Sequence, residues 1–371
     1  MSLILYISII LFNLLPALIR KKIPTIYAYS IIILALLIAF NIGSLDNINY
    51  IYHYNNLASG LKTSNQSEFG FVFLMQMGNK FGMSWSQFKF LISLFSFSLM
   101  YVALNRIFQK ELLNFHYLLI FYSTYLYFYD AEQIRNFIAM SLFLYALSFF
   151  NKGVKGVTIY VLLILLATTV HNSMVFFLIF VLVFKDSQIN EKKIKIIFSF
   201  SIILAIATYL NQNQIPFVKI LLSNLETDNS KVDKYLNQTT NLGFLLPLFY
   251  YVINIFCFFI GEKIEKNDKK NRISINIFEN GSVKLVKRML LLSIVFLPLT
   301  MQTVTFYRLF RNLNILIISS NLYFYHNSKA MINKSLIILN LILWQSMWFI
   351  LDIALKANEI LIPFFFDNLL S

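Results

Sequence analysis

Apolar runs of about twenty residues recur from one end of this 371-residue chain to the other, and they constrain its fold more than any motif does. A run of that length spans the hydrocarbon core of a bilayer as an α-helix. Helices and closed barrels are the only structures that satisfy backbone polar groups there. The runs do not alternate apolar with polar residues, so helices are expected rather than a barrel. With 58% apolar and 13% charged residues, the composition is that of a polytopic membrane protein. The first run, Leu3 to Ile19, precedes its charges Arg20, Lys21 and Lys22 and lacks a small-residue cleavage site. It reads as a retained first span rather than a signal peptide.

In order, the runs predict about ten crossings, near residues 2–19, 25–43, 88–105, 112–129, 133–150, 195–211, 242–261, 286–305, 309–326 and 335–353. The stretch 157–184 is apolar except around His171, Asn172 and Ser173. It reads either as one long span or as a hairpin of two short helices. Charge decides between them. With the hairpin, the inside loops collect 21 of the 31 Lys and Arg; a single crossing flips every later loop and leaves 13 inside against 18 outside. The positive-inside bias selects the hairpin, with both termini outward. The expected fold is an all-α polytopic integral membrane protein of about ten transmembrane helices plus a helical hairpin, forming a single domain over residues 1–371. Outer loops are expected at about 44–87 and 211–241, and a basic cytoplasmic loop at about 262–285. The net charge of +14 is assigned to this bias and to the membrane surface, so no nucleic-acid partner is expected.

Three of the seven arginines, Arg135, Arg308 and Arg311, run against the orientation rule by falling at the outer side in membrane-embedded positions. A cation is costly there and usually functional, so the three point to an anion held at a membrane face. Arg135 follows Glu132 at i,i+3, which also permits a self-neutralised, snorkelling helix end. Arg308 and Arg311 lie one helical turn apart, close enough to share one diphosphate through planar forks of hydrogen bonds. A solvated outer turn is the structural alternative.

His171, in the polar triplet, is a candidate general base or phosphate donor, set against a histidine that simply bonds a helix-end carbonyl. Asp46, four residues before Tyr50, and Glu68, two before Gly70, are outer-loop carboxylates able to deprotonate an acceptor hydroxyl or steady an oxocarbenium-like centre. No metal site is expected: His53, His116, His171 and His326 fall on different loops and sides, without HExxH spacing. Lone Cys257 lies in an apolar run and reads as packing. Trp85, Trp344 and Trp348 read as interfacial anchors. There is no P-loop, dinucleotide fingerprint or GxSxG elbow, so no cofactor is expected.

The order of Asp46 and Tyr50, Glu68 and Gly70, Arg135 and Ala139, His171 and Ser173, Tyr307 with Arg308, and Ile362-Pro363-Phe364 resembles the EpsG family, Wzy-like polymerases of bacterial surface polysaccharides. The resemblance covers nearly the whole chain. It implies a GT-C-like, metal-independent membrane glycosyltransferase in the bacterial inner membrane, with its active site facing outward. The donor and the acceptor would both be undecaprenyl-diphosphate-linked oligosaccharide repeat units, and the product capsule, O-antigen or exopolysaccharide. The partners would be these lipids, the bilayer and, in some systems, a chain-length regulator. Arg135 and Arg308, helped by Arg311, would bind the donor diphosphate; Asp46, Glu68 or His171 would orient or deprotonate the acceptor. An O-antigen ligase would carry a larger late outer loop, a membrane acyltransferase a cytoplasmic-side histidine in its first spans, and a flippase midplane charges and internal repeats. None of these features is found in the sequence.

Overall fold

The computed structural model describes residues 1–19, 21–60, 68–108, 114–184, 188–216, 244–270 and 281–368. Among them the chain is helical, with no strand beyond an isolated bridge between Asn41 and Asn368. The first half comprises α1 (Ser2–Leu18), α2 (Pro24–Phe40), α3 (Leu45–Ala58), α4 (Phe69–Lys80), α5 (Trp85–Phe108), α6 (Phe115–Thr124), α7 (Leu126–Glu132), α8 (Ile134–Leu147) and α9 (Gly153–Val170). A 3-10 helix, Asn172–Val183, leads into α10 (Gln188–Leu210). The second half holds α11 (Leu245–Lys270), α12 (Gly281–Leu292), α13 (Leu297–Gln302), α14 (Arg308–Arg311), α15 (Asn314–Asn327), α16 (Met331–Trp348) and α17 (Leu361–Phe366).

Local chemistry sets several of these boundaries. Pro24 opens α2, where its missing N–H costs no helical bond. Asn114 caps α6, its side chain accepting from the His116 N–H at 3.0 Å. Gly153 starts α9 with φ of 57°, a left-handed conformation that a side chain resists.

Helices α8 and α15 form the interior, buried on nearly every side. Around α8 lie α5 and α9, while α15 packs against α11 and α16. The outer faces carry Leu11 and Leu15 on α1, Leu162 and Leu166 on α9, Ile203 and Ile206 on α10, Phe256 on α11, and Leu339 and Leu343 on α16. So much exposed aliphatic and aromatic surface suits lipid rather than water. The protein is a helical membrane protein.

Among the described residues, five helical segments are long and apolar enough to cross a bilayer: Trp85–Phe108, Gly153–Val170, Lys192–Leu210, Leu245–Asp268 and Met331–Lys356. Four apolar helices are shorter: Ser2–Leu18, Pro24–Phe40, Ile134–Leu147 and Asn172–Val183. The ten sequence runs do not each become one long helix. The run 112–129 breaks at Tyr125, where φ is −142°, and 286–305 divides into α12, a 3-10 turn and α13. Helix α8 has only 14 residues, which reach about 21 Å at the usual rise.

Within the hairpin 157–184 the chain turns at His171, in extended backbone, and the 3-10 helix returns along α9. Tyr160 of α9 donates to the Phe177 carbonyl at 2.6 Å. The expected outer loop 44–87 contains two helices, α3 and α4. Most of the loop expected at 211–241 lies outside the described residues, as do 271–280 of the basic loop 262–285. On the described part of that basic loop, α11 continues to Lys270.

Candidate functional site

Helices α7 and α8 meet at Gln133, whose backbone (φ −103°, ψ 63°) departs from helical geometry. The break points Arg135 away from Glu132 and toward Glu68. The self-neutralised helix end that the i,i+3 spacing also permits, on one continuous helix, gives way to a pairing with Glu68. Arg135 Nη1 forms an ion pair with Glu68 Oε2. Its Nε donates to the Tyr50 hydroxyl at 3.0 Å, and its guanidinium sits 4.9 Å from the Tyr50 ring centroid. Such a geometry combines a charge-assisted bond with a cation–π contact.

Glu68 stands at the N-terminus of α4, and His171 at the turn between α9 and the 3-10 helix. The His171 Nδ1 lies 3.0 Å from Glu68 Oε1, which also accepts from the Asn172 N–H at 3.3 Å. Burial pushes the Glu68 carboxyl up, but the bond to His171, the charge of Arg135 and the Asn172 N–H outweigh it and hold it down at about 2. Glu68 is therefore an ionised, acceptor-only carboxylate. Burial pushes the Tyr50 hydroxyl up to about 12, against the pull of Arg135. Gly70 makes this junction possible: a Cβ there would fall on the Thr169 side chain and within 2.9 Å of its carbonyl carbon.

A second cluster centres on Asp352, buried in a π-helical turn, Phe349–Ile353, that continues α16. Single-turn π segments of this kind frequently mark functional sites. Tyr125 and Tyr129 donate to its carboxylate at 2.8 and 2.7 Å, and Tyr307 at 3.1 Å. Lys356 lies 3.7 Å away. Arg311, 2% exposed, donates to the Tyr307 hydroxyl at 3.2 Å and to Gln133 Oε1 at 2.7 Å. Its guanidinium stacks 3.8 Å from the Tyr129 ring centroid.

The two clusters are joined through α8. Gln133 holds Arg311, and three residues later Asn136 exchanges a reciprocal pair of amide bonds with Asn312, at 3.1 and 3.0 Å. The start of α8, bearing Arg135, is thus stitched to α14, bearing Arg308 and Arg311. Arg308 donates through Nε to the Thr305 carbonyl at 3.0 Å, and its charge, like that of Arg135, acts on His171. Asp46, in the first turn of α3, reaches the same region through its charge, which acts on Tyr50, Arg135 and Glu132.

Of the candidate residues, Glu68, His171 and Arg135 form one directly bonded group. Arg308 and Asp46 act on this group through their charge, on His171 and on Arg135, and Arg311 is tied to the start of its helix α8 through Gln133. Glu132 is pushed up by burial, and by the nearby charge of Asp46, to about 7.

Sequence reasoning missed the hub role of Asp352, the coupling by Gln133, and the paired amides of Asn136 and Asn312. Polar residues inside apolar runs were the available signal. It also missed Lys89, a fully buried lysine on α5 that donates to the Asn41 carbonyl at 2.7 Å and to Asn47 Oδ1 at 2.6 Å. These bonds fasten the start of α3, and with it Asp46 and Tyr50. Trp85, Trp344 and Trp348 are buried rather than interfacial, and the indole N–H groups of Trp344 and Trp348 both donate to Asn254 Oδ1, at 2.9 and 3.1 Å. Among the described residues no group of three or more His, Cys, Asp or Glu is arranged to hold a metal ion.

No curated protein and no solved structure shows significant similarity to this chain. The profile of the EpsG family matches residues 24–366, which takes in every residue of both clusters. The chain belongs to the EpsG family.

Proposed function

We propose that this protein polymerises polysaccharide at the outer face of a bacterial inner membrane, joining undecaprenyl-diphosphate-linked oligosaccharide repeat units into capsule, O-antigen or exopolysaccharide. Membership of the EpsG family supports a polymerase of this general type. In this reading the chain makes about ten crossings in a GT-C-like arrangement, with both termini outward. The observation that carries the reading is the linkage of three arginines through α8, with Gln133 and Asn136 tying the Arg135 helix to the Arg308–Arg311 turn.

A growing glycan would leave one polyprenyl diphosphate for the non-reducing end of the next repeat unit. The donor's own glycosyl-diphosphate bond supplies the driving force, so neither nucleotide nor cofactor is required. Negative charge then grows on the departing diphosphate, and pre-positioned cations stabilise it most where water is scarce. Arg135 and Arg308 take the role of diphosphate ligands. Arg311, with two donors committed to Tyr307 and Gln133, contributes a fixed positive charge. Asp46, Glu68 and His171 lie on the acceptor side. A chain-length regulator is a further partner in this scheme, and the bilayer is the solvent for both lipid tails.

The test is the length profile of lipid-linked and surface glycan in cells lacking this chain, complemented with wild type or Arg135→Ala. Single repeat units exposed on the outer face of the deletion strain, unrescued by well-expressed Arg135→Ala, support the polymerase. Long polymer that stays on lipid without reaching its final acceptor means a ligase. Repeat units trapped on the cytoplasmic face mean a flippase.

A further inference from the structure

Two histidines at membrane-helix ends, His116 fully buried and His171 partly so, are wired differently. His116, at the start of α6, uses both ring nitrogens: Nδ1 lies 2.7 Å from Asn13 Oδ1, and Nε2 accepts from the Ile23 N–H at 3.2 Å. It is a satisfied structural histidine. His171 uses only one. Its Nδ1 faces Glu68 Oε1 at 3.0 Å, while its Nε2 is buried with no hydrogen-bond partner. Two residues on, the Ser173 hydroxyl is also buried and unpartnered. Buried polar atoms left without partners are uncommon enough to require a cause.

The tautomer of His171 follows from its neighbours. Glu68 Oε2 is taken by Arg135, and Oε1 receives the Asn172 N–H as well as His171. A carboxylate surrounded by donors can only accept, so the His171 proton resides on Nδ1. The lone pair is then on Nε2, the orphaned atom. A carboxylate that orients an imidazole and leaves its far nitrogen free is the arrangement by which a histidine removes a hydroxyl proton.

We infer that His171 Nε2 is the atom that accepts the proton of the acceptor sugar hydroxyl, with Glu68 as its positioning residue and the Ser173 hydroxyl as a second contact for the same sugar. The inference rests on the polymerase reading and resolves the choice among Asp46, Glu68 and His171 that the sequence leaves open. In the step, the acceptor hydroxyl oxygen bonds to the donor's anomeric carbon. The bond from that carbon to the diphosphate oxygen breaks, and the lipid diphosphate leaves with the electron pair. The hydroxyl proton passes to Nε2, and the resulting imidazolium is steadied by Glu68 before it releases the proton to water. Glu68 is not itself the base, because both its oxygens are already engaged. The charged groups acting on His171 are Glu68 before α4, Arg135 on α8 and Arg308 on α14.

The experiment uses the full chain in lipid nanodiscs, fed with polyprenyl-diphosphate-linked repeat units extracted from cells lacking this protein. Initial polymerisation rate is followed across pH, alongside melting temperature. Wild type is expected to lose rate on an acid limb as the imidazole is protonated. His171→Gln should lower the rate about 10²–10⁴-fold, abolish that limb and melt near the wild-type temperature. His171→Ala should regain rate with added imidazole, which a purely structural histidine would not. Glu68→Gln should move the limb to lower pH, because the carboxylate that steadies the imidazolium is gone. If His171→Gln keeps the wild-type rate and limb, or if the limb disappears in Glu132→Gln and persists in His171→Gln, the assignment of the proton to His171 is overturned while the polymerase reading stands. If wild type leaves the repeat units unjoined, the polymerase reading fails, and the assignment falls with it.

Discussion

Arg311 donates to the side chain of Gln133 at 2.7 Å, spanning 178 residues of sequence. Through that bond the non-helical junction before α8 and the short helix α14 become one unit, and the directions of Arg135 and Arg308 are no longer independent. Bonds from a charged donor contribute about 1.5–3 kcal/mol when buried. Replacing Gln133 by Ala should therefore lower the melting temperature modestly. A 1 Å misplacement of a binding group can cost about a hundredfold in rate, so polymer length should fall more sharply than stability. Glycan ladders and detergent melting curves of the same Gln133→Ala preparation check this; a parallel fall in both would contradict it.

Asp352 accepts from three tyrosine hydroxyls, those of Tyr125, Tyr129 and Tyr307. Asp352→Ala removes the carboxylate from all three at once; Tyr129 keeps the residue's backbone carbonyl at 3.2 Å and Tyr307 keeps its bond from Arg311, but the fully buried Tyr125 hydroxyl loses its acceptor, at a cost of about 1–3 kcal/mol. Expected outcomes are severe loss of folded protein for Asp352→Ala and a milder loss for Asp352→Asn, which retains one carbonyl oxygen. Fluorescence-detected size-exclusion chromatography after a heating series distinguishes the two.

Glu68 links stability to pH. Its folded-state carboxyl is held at about 2 against an ordinary value of 4.5, so the folded protein binds this proton less readily than the unfolded chain. The stabilisation, at most roughly 3 kcal/mol, is complete above pH 4.5 and disappears as pH falls toward 2. Melting temperature should decline over that window in wild type and decline less in Glu68→Gln.

Gly70 lies against Thr169, with no room for a methyl group. Gly70→Ala should push α4 off α9 and separate Glu68 from His171. The expected result is near-complete loss of polymer, whereas Gly82→Ala, at a position where an added Cβ meets nothing within 4 Å, should strain only its local turn (φ 66°) and leave polymer long. Surface glycan length in the two complemented strains is the readout.

Lys89 anchors α3 from inside the bundle through the Asn41 carbonyl and Asn47 Oδ1. Lys89→Met preserves volume but leaves two buried acceptors without a donor, for about 1–3 kcal/mol each. Because α3 carries Asp46 and Tyr50, reduced polymerisation is expected along with a lower melting temperature. Lys89→Arg, which keeps a donor for both acceptors, should retain more of both.

The membrane class, the helical fold and the turn at His171 were legible in the sequence, because lipid leaves a chain few alternatives and writes the requirement as long apolar runs. The family was legible too, through short motifs whose order along the chain does not depend on knowing any distance. Partner choice was not. Spacing allowed Glu132 as a partner for Arg135, yet the break at Gln133 turns the arginine toward Glu68, 67 residues earlier. Asp352 has no sequence neighbour that marks it, and only packing of α16 against its neighbours surrounds it with tyrosines from α7, the Tyr125 junction and the Val304–Tyr307 turn. The buried tryptophans and Lys89 tell the same story. Hydrophobic periodicity reports which residues avoid water, a local property of each segment, whereas a hydrogen bond between residues 67 or 178 positions apart exists only once the helices have packed.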